Sequence, residues 1–140
     1  MASVFSKIIA GELPGRFVWK DERVVAFMTI APIQPGHTLV VPRDEIDHWQ
    51  RIDGELMTHL GHVSQCVGRA IEKAFQPERV GMMIAGLEVP HLHIHVTPIW
   101  GMRDLDFAKA DPKARPEDLD AAAEKIRAAL RELGHSEVSD

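Results

Sequence analysis

Residues 91–96 read HLHIHV, and that strict alternation constrains the chain more than any other feature. In an extended segment successive side chains point to opposite faces, so His91, His93 and His95 share one face and Leu92, Ile94 and Val96 the other. Same-face neighbours lie roughly 6.5–7 Å apart. One face can enter a core while the other carries a row of imidazoles. Buried imidazoles are costly without partners, so the row demands hydrogen bonds, a metal or a ligand.

The rest of the chain can support such a segment. Its 140 residues, 45% hydrophobic and 26% charged, suit one soluble globular core and exclude disordered or fibrous classes. A net charge of -5 argues against broad nucleic-acid binding, which needs clustered Lys and Arg, yet leaves room for a local anion site. Cys66 is the single cysteine, which excludes an internal disulfide and suits a reducing compartment. No apolar run reaches membrane-spanning length, and the first 15 residues lack a signal-like stretch. The expected setting is the cytoplasm, with no membrane partner.

Periodicity predicts a short helix over residues 4–10, where Phe5, Ile8 and Ile9 share a face ahead of Gly11. RFVWK at 16–20 and VVAFM at 24–28 read as a hairpin across DER. HTLVVP at 37–42 is a third strand that carries His37 on the face of Leu39 and Val41. Leu56, Leu60, Val63, Val67, Ile71 and Ala74 recur every three or four residues and predict a long helix from Asp53, its cap, to about Ala74. VGMMIAG at 80–86 reads as a buried strand, and the histidine segment as the last one. After Trp100, DPKARP reads as a linker, and Pro116 opens a helix that Gly134 stops near Leu133. Its stripe of Leu119, Ala122, Ile126, Leu130 and Leu133 would dock on the domain or on a partner subunit. The expected division is a domain over 1–103 and a linker with C-terminal helix over 104–140.

The histidine row admits a decorated sheet face, a zinc site completed by water, or a neutral imidazole that attacks phosphorus. Spacing alone does not choose between metal and nucleophile. His59 and His62 read as a solvated helix face, His48 and His135 as surface residues, and Cys66 as core packing.

HLHIHVT matches in full the HxHxHxx signature, apolar at x, of the histidine triad family. VFSKIIAGELP, VVAFM, PGHTLVVP and the long helix follow in the order of Hint-like members, so the chain resembles that family from about Val4 to Pro98. The resemblance implies an α+β domain with a five-stranded antiparallel sheet and a long helix, paired into a homodimer with a continuous sheet. It implies a nucleotide hydrolase or nucleotidyl transferase acting at an α-phosphate, on a nucleoside phosphoramidate or a dinucleoside polyphosphate, with no cofactor and no metal. By that likeness His93 is the nucleophile, His91 and His95 orient it and stabilise the phosphate, and His37 matches an additional upstream histidine at the substrate.

Departures from the pattern lie at the expected ligand. Thr29 in AFMT stands where family members often carry an aspartate for the ribose hydroxyls. In GLEVPH, Leu87 replaces a phosphate-contacting amide and Glu88 a hydroxyl residue; Glu88 would donate a proton only with a raised pKa. Ser3, Ser6 and Glu45 occupy positions that bind structural zinc in some bacterial relatives, so that site is expected to be absent. These departures keep two alternatives in view: a nucleotide-binding module with little turnover, and a metal-binding protein built on the histidine row.

Overall fold

Apolar side chains cover both faces of a central sheet, which is why its inner strands read as unbroken hydrophobic runs. The computed structural model describes residues 2–140. Strands β1 (Phe17–Lys20), β2 (Val24–Met28), β3 (Thr38–Pro42), β4 (Arg79–Met83) and β5 (Ile94–Ile99) form one antiparallel sheet in the order β1-β2-β3-β5-β4. Every residue of β2 and β3 is buried.

One sheet face carries Val24, Ala26, Met28, Val40, Ile94 and Val96. Against it pack α2 (Gly54–Phe75), through Leu56, Leu60, Val63, Val67 and Ile71, and α3 (Pro116–Glu132), through Ala122, Ile126 and Leu130. The other face carries Phe17, Val25, Phe27, Leu39 and Val41 beneath Phe5 of α1 (Val4–Ile9). The histidines belong to this second face.

Local chemistry sets the helix ends. Asp53 stands at the N-cap of α2 as expected, but its carboxylate makes no capping hydrogen bond and instead lies 3.9 Å from Arg23. Pro116 opens α3 with Glu117 and Asp118 in its first turn, where the free amides favour acidic groups. The buried stripe of α3 ends at Leu130. Leu133, expected to continue it, is 42% exposed, because it is the C-cap where the chain leaves the helix for Gly134.

Two strand expectations need correction. The segment 80–86, expected to be buried, is strand only to Met83 and lies half open, because β4 is an edge with β5 as its sole neighbour. Gly81 alone is buried there, and a methyl added to it would come 2.8 Å from the Leu105 side chain. The histidine segment is not one continuous strand either. The amide of His91 bonds to Val89 O and that of Leu92 to Ile46 O, so ladder pairing with β3 starts only at Ile94. His95 therefore sits within β5, while His91 and His93 precede it.

The two sheet edges differ. The chain's end covers β1: the Lys20 amide donates to Glu137 O, and the Ser139 amide to Val18 O. Among the described residues no strand lies outside β4, where Met82 is 61% exposed. Among the described residues no helix is long and apolar enough to cross a membrane.

Candidate active site

Three hydrogen-bond chains decide what each imidazole can do. His37 follows Gly36, whose backbone adopts φ +101, and its ring is buried at the mouth of β3. The Ile33 amide donates to His37 Nδ1 over 3.1 Å, so the neutral ring carries its proton on Nε2. That proton points at His95 Nδ1, 2.9 Å away, which must accept it. His95 is left with an Nε2–H donor for the cleft. Burial, aided by the neighbouring histidines, pushes His37 down to about 4 and His95 down to about 3, so both rings are neutral near pH 7.

His93 is fixed in the opposite tautomer. Its Nδ1 lies 2.8 Å from the carbonyl oxygen of His91, which can only accept, so Nδ1 holds the proton and Nε2 keeps a free lone pair. Phe5 packs edge-on against the ring with centroids 4.9 Å apart, and His95 stands at the same separation.

His91 contributes its backbone to this arrangement rather than its ring. The ring is fully buried below α1, donates from Nε2 to Pro42 O at 2.8 Å, and accepts at Nδ1 from the Ser3 hydroxyl at 2.7 Å. Ser3 also caps α1 by accepting the Ser6 amide, while the Ser6 hydroxyl donates to Glu45 Oε1 over 2.8 Å. Burial holds the His91 ring below its ordinary pKa, against the opposing pull of Pro42 O and Glu45. The alternation implied three like-facing rings; the structure brings two of them, His93 and His95, to the cleft and sends the third into the core.

The cleft, about 360 Å³ with its open mouth, is lined by Ala85, Gly86, Leu87, Glu88, His93, His95 and Phe107. Leu87 and Glu88 thus join the two histidines, with Leu87 94% exposed. His37 stands behind His95. Thr29 lies outside the lining, and its hydroxyl accepts the Ala31 amide in the turn that ends β2.

Phe107 was not anticipated from the sequence. Its ring meets His95 edge-on, centroids 4.8 Å apart. Asp104 anchors the segment that carries it, accepting from Lys109 Nζ and Gln34 Nε2 at 2.7 Å each and from the Trp100 amide at the same distance. Lys109 first, then the amide and Gln34, hold the Asp104 carboxyl far below the usual carboxylate range. The sequence signal was there: two aromatics, Trp100 and Phe107, bracket this aspartate across the boundary at 103–104 where the linker was expected to begin.

Neither place suggested for zinc fits the ion. Ser3 and Ser6 offer neutral hydroxyls where tetrahedral zinc sites use thiolates or imidazoles, and His91 Nε2 already faces a carbonyl. In the histidine row only His93 Nε2 presents a lone pair, whereas a catalytic zinc takes three protein ligands. Among the described residues no group of three His, Cys, Asp or Glu side chains is placed to hold a metal ion.

Residues 10–100 match the HIT domain family. The protein hit of Bacillus subtilis is 34% identical over 131 residues, which cover 88% of this chain and 90% of that protein. The solved structure of a hypothetical histidine triad nucleotide-binding protein from Sulfolobus tokodaii aligns with a TM-score of 0.81 at 26% identity, covering 92% of each chain. That of a HIT family hydrolase from Legionella pneumophila aligns with a TM-score of 0.64 at 25% identity, over 72% of this chain and 96% of that one. Because the family match runs from the end of α1 to the end of β5, and the Bacillus relative aligns along nearly its whole length, this chain belongs to the HIT family.

Proposed function

We propose that the protein is a nucleotide hydrolase or nucleotidyl transferase that works at an α-phosphate through a covalent bond between phosphorus and His93 Nε2. The observation that carries the reading is the 2.8 Å bond from His93 Nδ1 to His91 O, which frees the Nε2 lone pair at the cleft. That pair forms the N–P bond while the bond from phosphorus to the leaving group breaks and its electrons depart with that group, which takes a proton from water. The imidazole becomes cationic with its Nδ1 proton retained, and the carbonyl oxygen it faces stabilises that charge. Water then attacks phosphorus, loses a proton, and returns the electron pair to Nε2, releasing a nucleoside monophosphate. Throughout, His95 Nε2–H is a donor for a phosphate oxygen, kept in that tautomer by His37.

Kinship supports a small-molecule nucleotide as ligand, since the Sulfolobus relative is described as nucleotide-binding and the Legionella relative as a hydrolase. A nucleoside phosphoramidate or a dinucleoside polyphosphate supplies a suitable α-phosphate. Rapid acid-free quenching with a panel of such nucleotides, followed by mass spectrometry, should show a nucleotidyl adduct on His93 that His93→Ala lacks. Neither adduct nor turnover across the panel would overturn the reading.

A nucleotide-binding module with little turnover is the second reading. Leu87 favours it, because a side chain almost wholly in solvent offers no polar atom to a phosphate. Thermal stabilisation by nucleotides without adduct or product would support the module and remove the enzyme.

A further inference from the structure

The outer edge of β1 is covered by very little chain. Helix α3 stops at Glu132, Gly134 turns with φ +88, and residues 137–139 come back alongside β1. The Lys20 amide donates to Glu137 O at 2.9 Å and the Ser139 amide to Val18 O at 3.3 Å, with Val138 antiparallel to Trp19. One apolar contact, Val138 against the α2 side of the core, and one cation complete the attachment. Arg127 donates from Nε to Phe17 O at 2.8 Å, and the same atom lies 3.2 Å from Ser139 O and 3.4 Å from an Asp140 carboxylate oxygen. A segment held by so few buried contacts opens at far lower cost than the sheet it covers. Beneath it the strand is strongly apolar. Phe17, Val18 and Trp19 are buried, and the Trp19 ring meets that of His135 with centroids 5.3 Å apart.

We propose that this edge of β1 is a strand-addition surface for a second copy of this chain, and that residues 137–139 close it in cis. Their release leaves Val18 O and the Lys20 amide without partners beside an apolar strip, and an edge in that state pairs with another strand. A second copy fits because the edge is self-complementary. In antiparallel register centred between Val18 and Trp19, Lys20 of one copy lies across from Phe17 of the other, so like charges do not meet. Because β4 bounds the sheet on its opposite side, a copy with β1 uncovered offers two edges and adds neighbours at both. Residues 137–139 therefore hold the assembly to closed, finite states. The inference is independent of the chemistry at His93.

The test uses the full chain and reads mass by light scattering over a concentration series. Val138→Asp sets a carboxylate against the apolar core, and Ser139→Pro removes the amide that donates to Val18 O. Ser139→Ala is the control, since it keeps that amide and loses only a hydroxyl bonded to Asp140 O. Both releasing variants should expose the Lys20 amide to hydrogen exchange and form species of about twice the wild-type mass or more, growing with concentration. Ser139→Ala should keep the wild-type mass. The peptide HSEVSD, the sequence of residues 135–140, should return the releasing variants to the wild-type mass at about 1 mM, the effective concentration of a tethered segment. Reversal by this peptide separates strand pairing from aggregation of unfolded chain. Three results each overturn the inference: a Lys20 amide still protected in both variants, wild-type mass with that amide exposed, or larger species that the peptide leaves unchanged.

Discussion

His93 Nδ1 and the carbonyl oxygen of His91 lie 2.8 Å apart, and this contact sets the tautomer of the ring beside the cleft. The donor belongs to one histidine's side chain and the acceptor to the other's backbone. Any residue at position 91 supplies the same carbonyl, so the histidine there must be explained by its ring. That ring joins Ser3 to Pro42 O across 2.7 and 2.8 Å and packs against Phe5.

Substitutions at the two positions should therefore separate. His93→Ala should lower kcat by about a thousandfold or more, as loss of a nucleophile does. His91→Ala should instead cost about 2–3 kcal/mol of stability, through a cavity and the loss of the bonds to Pro42 O and the Ser3 hydroxyl. Its kcat should stay within about tenfold of the wild type under folding conditions. Urea titration and steady-state kinetics on the same preparations check this; equal kinetic damage from both variants would place the His91 ring, not its carbonyl, at the reaction.

The His37–His95 pair should make stability depend on pH. Both folded pKa values, about 4 and about 3, lie below the ordinary histidine value of 6.5, so between these limits the unfolded chain binds more protons than the folded one. Stability then rises with pH across that window: it is complete above about 6.5 and is lost as acid approaches the folded values. Each ring should account for a loss of up to roughly 3 kcal/mol between pH 7 and pH 4. A His37→Gln, His95→Gln double variant should show a flatter profile in urea midpoints. An unchanged slope would mean that other groups carry the acid sensitivity.

Ser3 tests how firmly α1 is tied to the site. Its hydroxyl both caps α1 through the Ser6 amide at 3.0 Å and donates to His91 Nδ1. Ser3→Ala removes a cap and leaves a buried acceptor unpaired, an expected loss of about 1–2 kcal/mol. Ser3→Thr keeps the hydroxyl and should recover most of the loss. Thermal denaturation of both variants checks it, and equal destabilisation would point to packing instead of the hydrogen bonds.

Much of this was legible because period and polarity agree. The alternation at 91–96 put Leu92, Ile94 and Val96 in the core, and the three-four spacing gave α2 its buried face. What escaped depends on long-range pairing that no local pattern encodes. Leu92 gives its amide to Ile46 and not to a strand, which turns the His91 ring away from the cleft. Asp104 becomes a buried node only because Gln34, seventy residues earlier, reaches it. The apolar residues around position 105 follow no strand or helix period, so Phe107 reads as linker until Gly81 makes room for Leu105 beside it.

That node predicts a kinetic effect away from the histidines. Asp104→Asn keeps the shape but weakens the bonds to Lys109 and the Trp100 amide, which hold the 102–109 segment and hence Phe107 against His95. KM should rise by about three- to tenfold with kcat less affected, because the wall of the cleft loosens while the nucleophile does not. A fall in kcat with KM unchanged would contradict a role confined to the cleft wall.

The open edge of the sheet leads to the last prediction, that two copies pair through β4. The β1 edge is closed by residues 137–139, but β4 presents unpaired backbone beside a groove lined by Gly61, Gly68, Arg79 and Met82. The same groove contains Ser64, whose hydroxyl is the one buried side-chain polar atom without a hydrogen-bond partner among the described residues. Edge strands left bare in this way favour strand addition, and one inward charge is enough to oppose it. Light scattering at tens of micromolar should give twice the 15.6 kDa chain mass for the wild type and the single mass for Met82→Lys. Leu133→Lys, on the exposed end of α3 away from this edge, should remain paired. A monomeric wild type, or dissociation by Leu133→Lys in place of Met82→Lys, would rule out pairing through β4.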